Sequence, residues 1–161
     1  MITAHKFRKA LIADGYRDGN ITITGNTGSG YATPEPDWVT GEFREAFSDW
    51  LFDGGVTWKA GRYDCRQFAL TVVARMLECW GCMKDVPVAD EYCSLAVGLL
   101  YVPGHALVIC THVGEDGRTV YTQAYEPQPK AVEGEAVFQL VSMQPYDVPK
   151  EDKVCATVFV P

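Results

Sequence analysis

The chain has 161 residues, 47% of them hydrophobic and 22% charged, a balance that excludes a disordered chain and predicts a single domain over 1–161. Its 14 Lys and Arg against 21 Asp and Glu leave a formal net charge of −7, which repels phosphate backbones and anionic lipid, so neither nucleic acid nor membrane is the expected partner. No apolar run reaches the ~18 residues of a bilayer span, and the first twenty residues hold no apolar block with a small-residue cleavage site. A cytoplasmic chain is expected, in the host cytoplasm if the source is viral.

Taken in chain order, residues 3–14 read as a short helix with Thr3 as cap and Ala4, Phe7, Leu11 and Ile12 as apolar positions. Residues 20–24 suggest a brief strand with Ile21 and Ile23 on one face. Glycines and prolines make 25–37 a loop. Residues 41–53 predict a helix capped by Thr40, with Phe43, Phe47, Trp50 and Leu51 as its stripe. The clearest helix covers 64–80, where Cys65, Phe68, Ala69, Val72, Met76 and Trp80 recur at three- and four-residue steps; Asp64 is the cap and Gly81 the stop.

Beyond Pro87 the pattern turns to strands at 94–101, 105–113, 119–125, 136–141 and 154–160, separated by turn-rich breaks, although the first also has some helical spacing. Helices over about 1–90 followed by an antiparallel meander over about 91–161 predict an α+β domain.

Six cysteines, Cys65, Cys79, Cys82, Cys93, Cys110 and Cys155, invite a disulfide reading, but that reading suits short secreted chains without a core. Most are expected to be reduced, buried, small hydrophobic residues, Cys110 and Cys155 within strands. Cys65 differs by position. It falls in the first turn of its helix, where unpaired N–H groups and the partial positive charge favour a thiolate, and Arg66 adds positive potential.

A thiolate needs an imidazole partner, and the chain has three histidines. His5 reads as a surface residue of the first helix. His105 and His112 share a strand but point to opposite faces. His105, opening the strand after Pro103-Gly104, is the better candidate. Counting inward from the GEDG turn pairs 113 near 118 or 119 and 105 near 126, so Glu126 lands beside His105 as the group that orients the ring, with Gln128 as second choice.

The segments Tyr63-Asp64-Cys65-Arg66-Gln67-Phe68-Ala69, Gly104-His105-Ala106 and Tyr125-Glu126-Pro127-Gln128 together resemble the papain-like cysteine hydrolase superfamily. They are most similar to the NlpC/P60-type and bacterial transglutaminase-like cysteine peptidases and to small phage-encoded members. The resemblance covers roughly residues 60–130. It implies a papain-like α+β fold with the nucleophile helix packed on an antiparallel sheet. It also implies Cys65 as nucleophile, His105 as general base and acid, and Glu126 or Gln128 as orienter. No glutamine stands a turn ahead of Cys65, so its own backbone N–H with a hydroxyl such as that of Tyr63 would form the oxyanion hole. Trp58 and Tyr63 would line a substrate groove.

Two other motifs carry weaker signals. Cys79-Trp80-Gly81-Cys82 is a CxxC sequence, with Cys93 and His112 as loose further metal ligands, but it closes a helix where a redox pair would open one, so packing is the expected role. Residues 25–30 resemble a phosphate-binding loop but lack the following Lys-Ser/Thr.

The expected function is therefore a cysteine peptidase, amidase or acyl transferase acting on a peptide, a peptidoglycan stem or an isopeptide bond, with no cofactor or metal. The alternative is a non-catalytic virion component or host-factor inhibitor on the same scaffold, with a host or virion protein as partner.

Overall fold

A computed structural model describes residues 1–25, 30–55, 64–82, 93–128 and 141–161. Five helices are described: α1 (Ala4–Ala13), α2 (Pro36–Thr40), α3 (Glu42–Asp53), α4 (Cys65–Cys82) and α5 (Lys150–Cys155). The strands are β1 (Ile21–Ile23), β2 (Tyr31–Ala32), β3 (Ser94–Leu95), β4 (Val97–Val102), β5 (His105–Val113), β6 (Val120–Glu126), β7 (Gln144–Tyr146) and β8 (Thr157–Val160). Helices pack on a mostly antiparallel sheet, so the fold is α+β.

The main sheet runs β1-β8-β4-β5-β6-β7, with β2 and β3 as a separate parallel pair. Strands β4 and β5 lie at its centre and are buried on both faces, which is why they read as continuous apolar runs rather than alternating ones. One face carries Leu100, Leu107, Ile109, Ala124 and Val158, covered by Phe7 and Leu11 of α1. The other carries Leu99, Ala106, Val108, Cys110 and Tyr125, packed against Phe43 and Phe47 of α3 and Phe68, Val72 and Met76 of α4. The helical steps of α4 thus become its buried stripe.

The sheet is not the simple meander expected. Strand β8 returns from the end of the chain to lie beside β4, and β1 joins it in parallel. This crowding explains Gly98 in β4: a Cβ there would stand 2.7 Å from the Phe159 carbonyl oxygen of β8. Gly98→Ala is accordingly expected to cost about 1–3 kcal/mol of stability, read as a lower urea midpoint, because backbone rather than a mobile side chain blocks the methyl.

Other boundaries differ for local reasons. Thr40 ends α2 instead of capping α3; its hydroxyl donates to the Pro36 carbonyl at 3.1 Å, and Gly41 is the cap. Gly81 does not stop α4, which runs on through Cys82. The expected strand 94–101 divides at Ala96 into β3 and β4. The expected 154–160 strand begins only at Thr157, because α5 occupies Lys150–Cys155, and Cys155 is exposed at its end. Within the expected 25–37 loop, Tyr31–Ala32 pair with β3, and Pro36 opens α2 with its fixed φ. Lys153 of α5 reaches the Asp14 carboxylate at 2.7 Å, whose second oxygen accepts from Thr122 at 2.8 Å, tying α5, α1 and β6 together. Most of the expected 136–141 strand lies outside the described residues. Among those described, no helix is long and apolar enough to cross a membrane.

Candidate active site

The start of α4 is held by a reciprocal cap. The Asp64 carboxylate accepts from the Arg66 N–H at 3.1 Å, and the Gln67 side-chain oxygen accepts from the Asp64 N–H at 3.1 Å. The Asp-x-x-Gln spacing is the sequence signal for this second bond. Cys65 becomes the first helical residue, in the turn where a helix carries its partial positive charge. The Arg66 side chain is 68% exposed and lies 3.7 Å from the Asp64 carboxylate, so its positive charge is partly offset.

The hairpin register differs slightly from the sequence count. Val113 pairs with Val120 and Val108 with Tyr125, which sets Glu126 across from Leu107 and diagonal to His105. Because the true offset from the 113–118 count is two residues, side-chain parity is unchanged and Glu126 still shares a face with His105; the 113–119 count would have reversed it. The Glu126 Oε2 lies 2.5 Å from His105 Nε2. Its Oε1 accepts from the Gln128 backbone N–H at 2.9 Å. Gln128 therefore steadies Glu126 through its backbone, while its side-chain amide lies 3.5 Å from His105 Nδ1. Glu126, not Gln128, is the partner at Nε2.

These contacts raise the His105 pKa from 6.5 to about 9: the Glu126 hydrogen bond leads, burial opposes it, and a hydrogen bond with the Cys65 side chain adds to the rise. The ring and the carboxylate are roughly three-quarters buried, at 24% and 22% side-chain exposure, which limits screening of their interaction. At neutral pH His105 is an imidazolium with its Nε2 on the Glu126 carboxylate. Tyr146 of β7 stands beside the ring, centroids 6.2 Å apart. Nothing in the sequence flags it, because β7 is three residues long and contains a proline.

Alternation alone gives the helix-facing position to His112 and not to His105, since Ala106, Val108 and Cys110 face the α4 layer. His105 is the first residue of β5, and the Cys65 side chain contributes to the rise of its pKa. His112 is fully buried: its Nδ1–H donates to the Pro34 carbonyl at 2.6 Å and its Nε2 accepts from the Tyr125 hydroxyl at 2.8 Å. Burial pushes its pKa down, so it is neutral. Tyr125→Phe leaves that nitrogen without a donor and is expected to cost about 1–3 kcal/mol in denaturant unfolding.

His5 is exposed on α1. Trp58 and Tyr63 lie outside the described residues, as do positions 26–29 of the glycine-rich loop. All six cysteines are free. Among the described residues, no three His, Cys, Asp or Glu side chains gather as metal ligands.

No family model and no curated protein matches the chain. It is similar to a solved structure described as "PSL1a-E64 complex", at 20% identity and a TM-score of 0.49, over 87% of this chain and 49% of that one. The chain thus spans about half the length of that structure, and at this distance the likeness carries no argument.

Proposed function

We propose that the chain is a Cys65-dependent hydrolase or acyl transferase of papain-like type acting on an amide or isopeptide carbonyl. The observation that carries this reading is the His105 ring, held by Glu126 at 2.5 Å and raised in pKa by that carboxylate and by the side chain of Cys65, which starts a helix. In the first step the Cys65 sulfur adds to the carbonyl carbon, and the oxyanion is met by the Cys65 backbone N–H. His105 then passes its proton to the departing amine as the C–N bond breaks, leaving a thioester. Water, or an acceptor amine in a transfer, gives a proton to His105 as it attacks that thioester, and the Cys65 sulfur departs. A peptide, a peptidoglycan stem or a protein isopeptide supplies such a carbonyl.

The test compares the intact chain with Cys65→Ala on peptidoglycan stem peptides and isopeptide-linked peptides, read by mass spectrometry of the products. Loss of a nucleophile is expected to lower turnover by roughly 1,000-fold or more. Equal turnover by both proteins would overturn the proposal.

A further inference from the structure

A second sulfur site lies at the far end of α4. Cys79 and Cys82, one helical turn apart, line the same shallow pocket of about 190 Å3 with Phe43, Phe47, Trp50 and Arg75. Cys79 is half-buried and Cys82 exposed, and both are free thiols. The Cys65 chemistry uses neither, since Cys79 stands about 21 Å along the helix from Cys65 at the ordinary rise per residue.

Their place at the negative end of α4 argued against a redox role. Helix polarity bears on thiol acidity, and burial does push the Cys79 thiol up, with Arg75 opposing. It does not decide whether the two sulfurs can join. Residues three apart on a helix have Cβ atoms about 5–6 Å apart, and a disulfide needs about 3.5–4.5 Å, so the turn must tighten by only 1–2 Å or so.

The surroundings let Cys82 make that movement. Cys82 is the last described residue of α4 and is exposed, and Gly81 before it has open space where a side chain would be. Cys79 is the fixed partner. It packs against the core cluster, and its neighbour Trp80 donates its indole N–H to the Cys93 carbonyl at 2.9 Å.

We propose that Cys79 and Cys82 form a redox-responsive dithiol that closes to an intrahelical disulfide by exchange with a low-molecular-weight disulfide such as oxidised glutathione. The exposed Cys82, as thiolate, attacks one sulfur of the reagent and releases one glutathione thiolate, leaving a mixed disulfide on Cys82. Cys79 then loses its proton and attacks the Cys82 sulfur, releasing the second glutathione. Two protein thiols are oxidised, one glutathione disulfide is reduced to two thiols, and the protons released from the cysteines end on them. Because closure pulls on the last turn of the helix, the bond is readily reduced, which makes the change reversible. The joined sulfurs lie across one wall of the pocket.

The sequence makes the test clean. Trypsin releases residues 76–84 as one peptide that holds Cys79 and Cys82 and no other cysteine. The reduced intact chain is treated with oxidised glutathione, its remaining thiols are blocked with iodoacetamide, and the digest is read by mass spectrometry. The expected peptide is unalkylated, two hydrogens lighter and free of glutathione, and it returns to the doubly alkylated form when dithiothreitol precedes the blocking step. In Cys79→Ser the same peptide should keep glutathione on Cys82, because the resolving thiol is gone. A wild-type peptide alkylated at both positions, one carrying stable glutathione on Cys82, or one joined through Cys82 to a second chain would overturn the proposal.

Discussion

Replacing His105 with alanine is expected to slow alkylation of Cys65 by iodoacetamide at pH 7 by about tenfold or more. Iodoacetamide reacts with the thiolate form of a cysteine, and a neighbouring imidazolium favours that form. In the unaltered chain the same argument puts Cys65 ahead of the other five cysteines. Cys110 is sealed in the core with its thiol pushed far up by burial, and Cys79 is pushed up for the same reason. The informative competitors are Cys82 and Cys155, which are exposed and face no imidazolium in the described structure. Peptide mapping at short reaction times separates the cases. Labelling of Cys65 no faster than Cys82 and Cys155, or unaffected by loss of His105, would remove the Cys65–His105 partnership on which the proposed activity depends.

Glu126→Gln should lower the His105 pKa from about 9 toward the ordinary 6.5, because the carboxylate hydrogen bond is the largest cause of the rise. Titration of the His105 ring by NMR reads this directly. The same substitution changes how stability follows pH. A histidine whose pKa is raised by folding contributes stability that is complete below its unfolded value of 6.5 and is lost as pH climbs through about 9. The unaltered chain should therefore lose stability across that window, and the Glu126→Gln variant should show a much flatter profile there. At neutral pH the variant also lacks most of the imidazolium, so alkylation of Cys65 should slow in parallel. A His105 titration unchanged by Glu126→Gln would show that the 2.5 Å contact is not what holds the proton.

Some of this was legible in the residues alone. The stripe on α4 and the cap at Asp64 placed Cys65 at a helix start, since both depend on neighbours within a few positions. The pairing of His105 with Glu126 followed from a single hairpin, and survived a register error because side-chain facing repeats every two residues. What escaped was short or long-range. Strand β7 has three residues with a proline among them, and α5 has six residues, too little for a periodic pattern to develop. The insertion of β8 between β1 and β4 joins segments more than fifty residues apart, which no local pattern encodes.

The covalent order of residues thus determined which groups could be reactive: a cysteine after a capping aspartate, an imidazole after a Pro-Gly turn, a carboxylate on the returning strand. Only the tertiary structure decided which histidine carries a charge. His105 and His112 have the same chemistry and share one strand, and they differ in surroundings. His112 is closed in by Pro34 and Tyr125 and kept neutral, whereas His105 lies at the strand end beside α4 and is charged by Glu126. Burial and neighbouring charge set the protonation of an imidazole, and both arise from segments far apart in the chain.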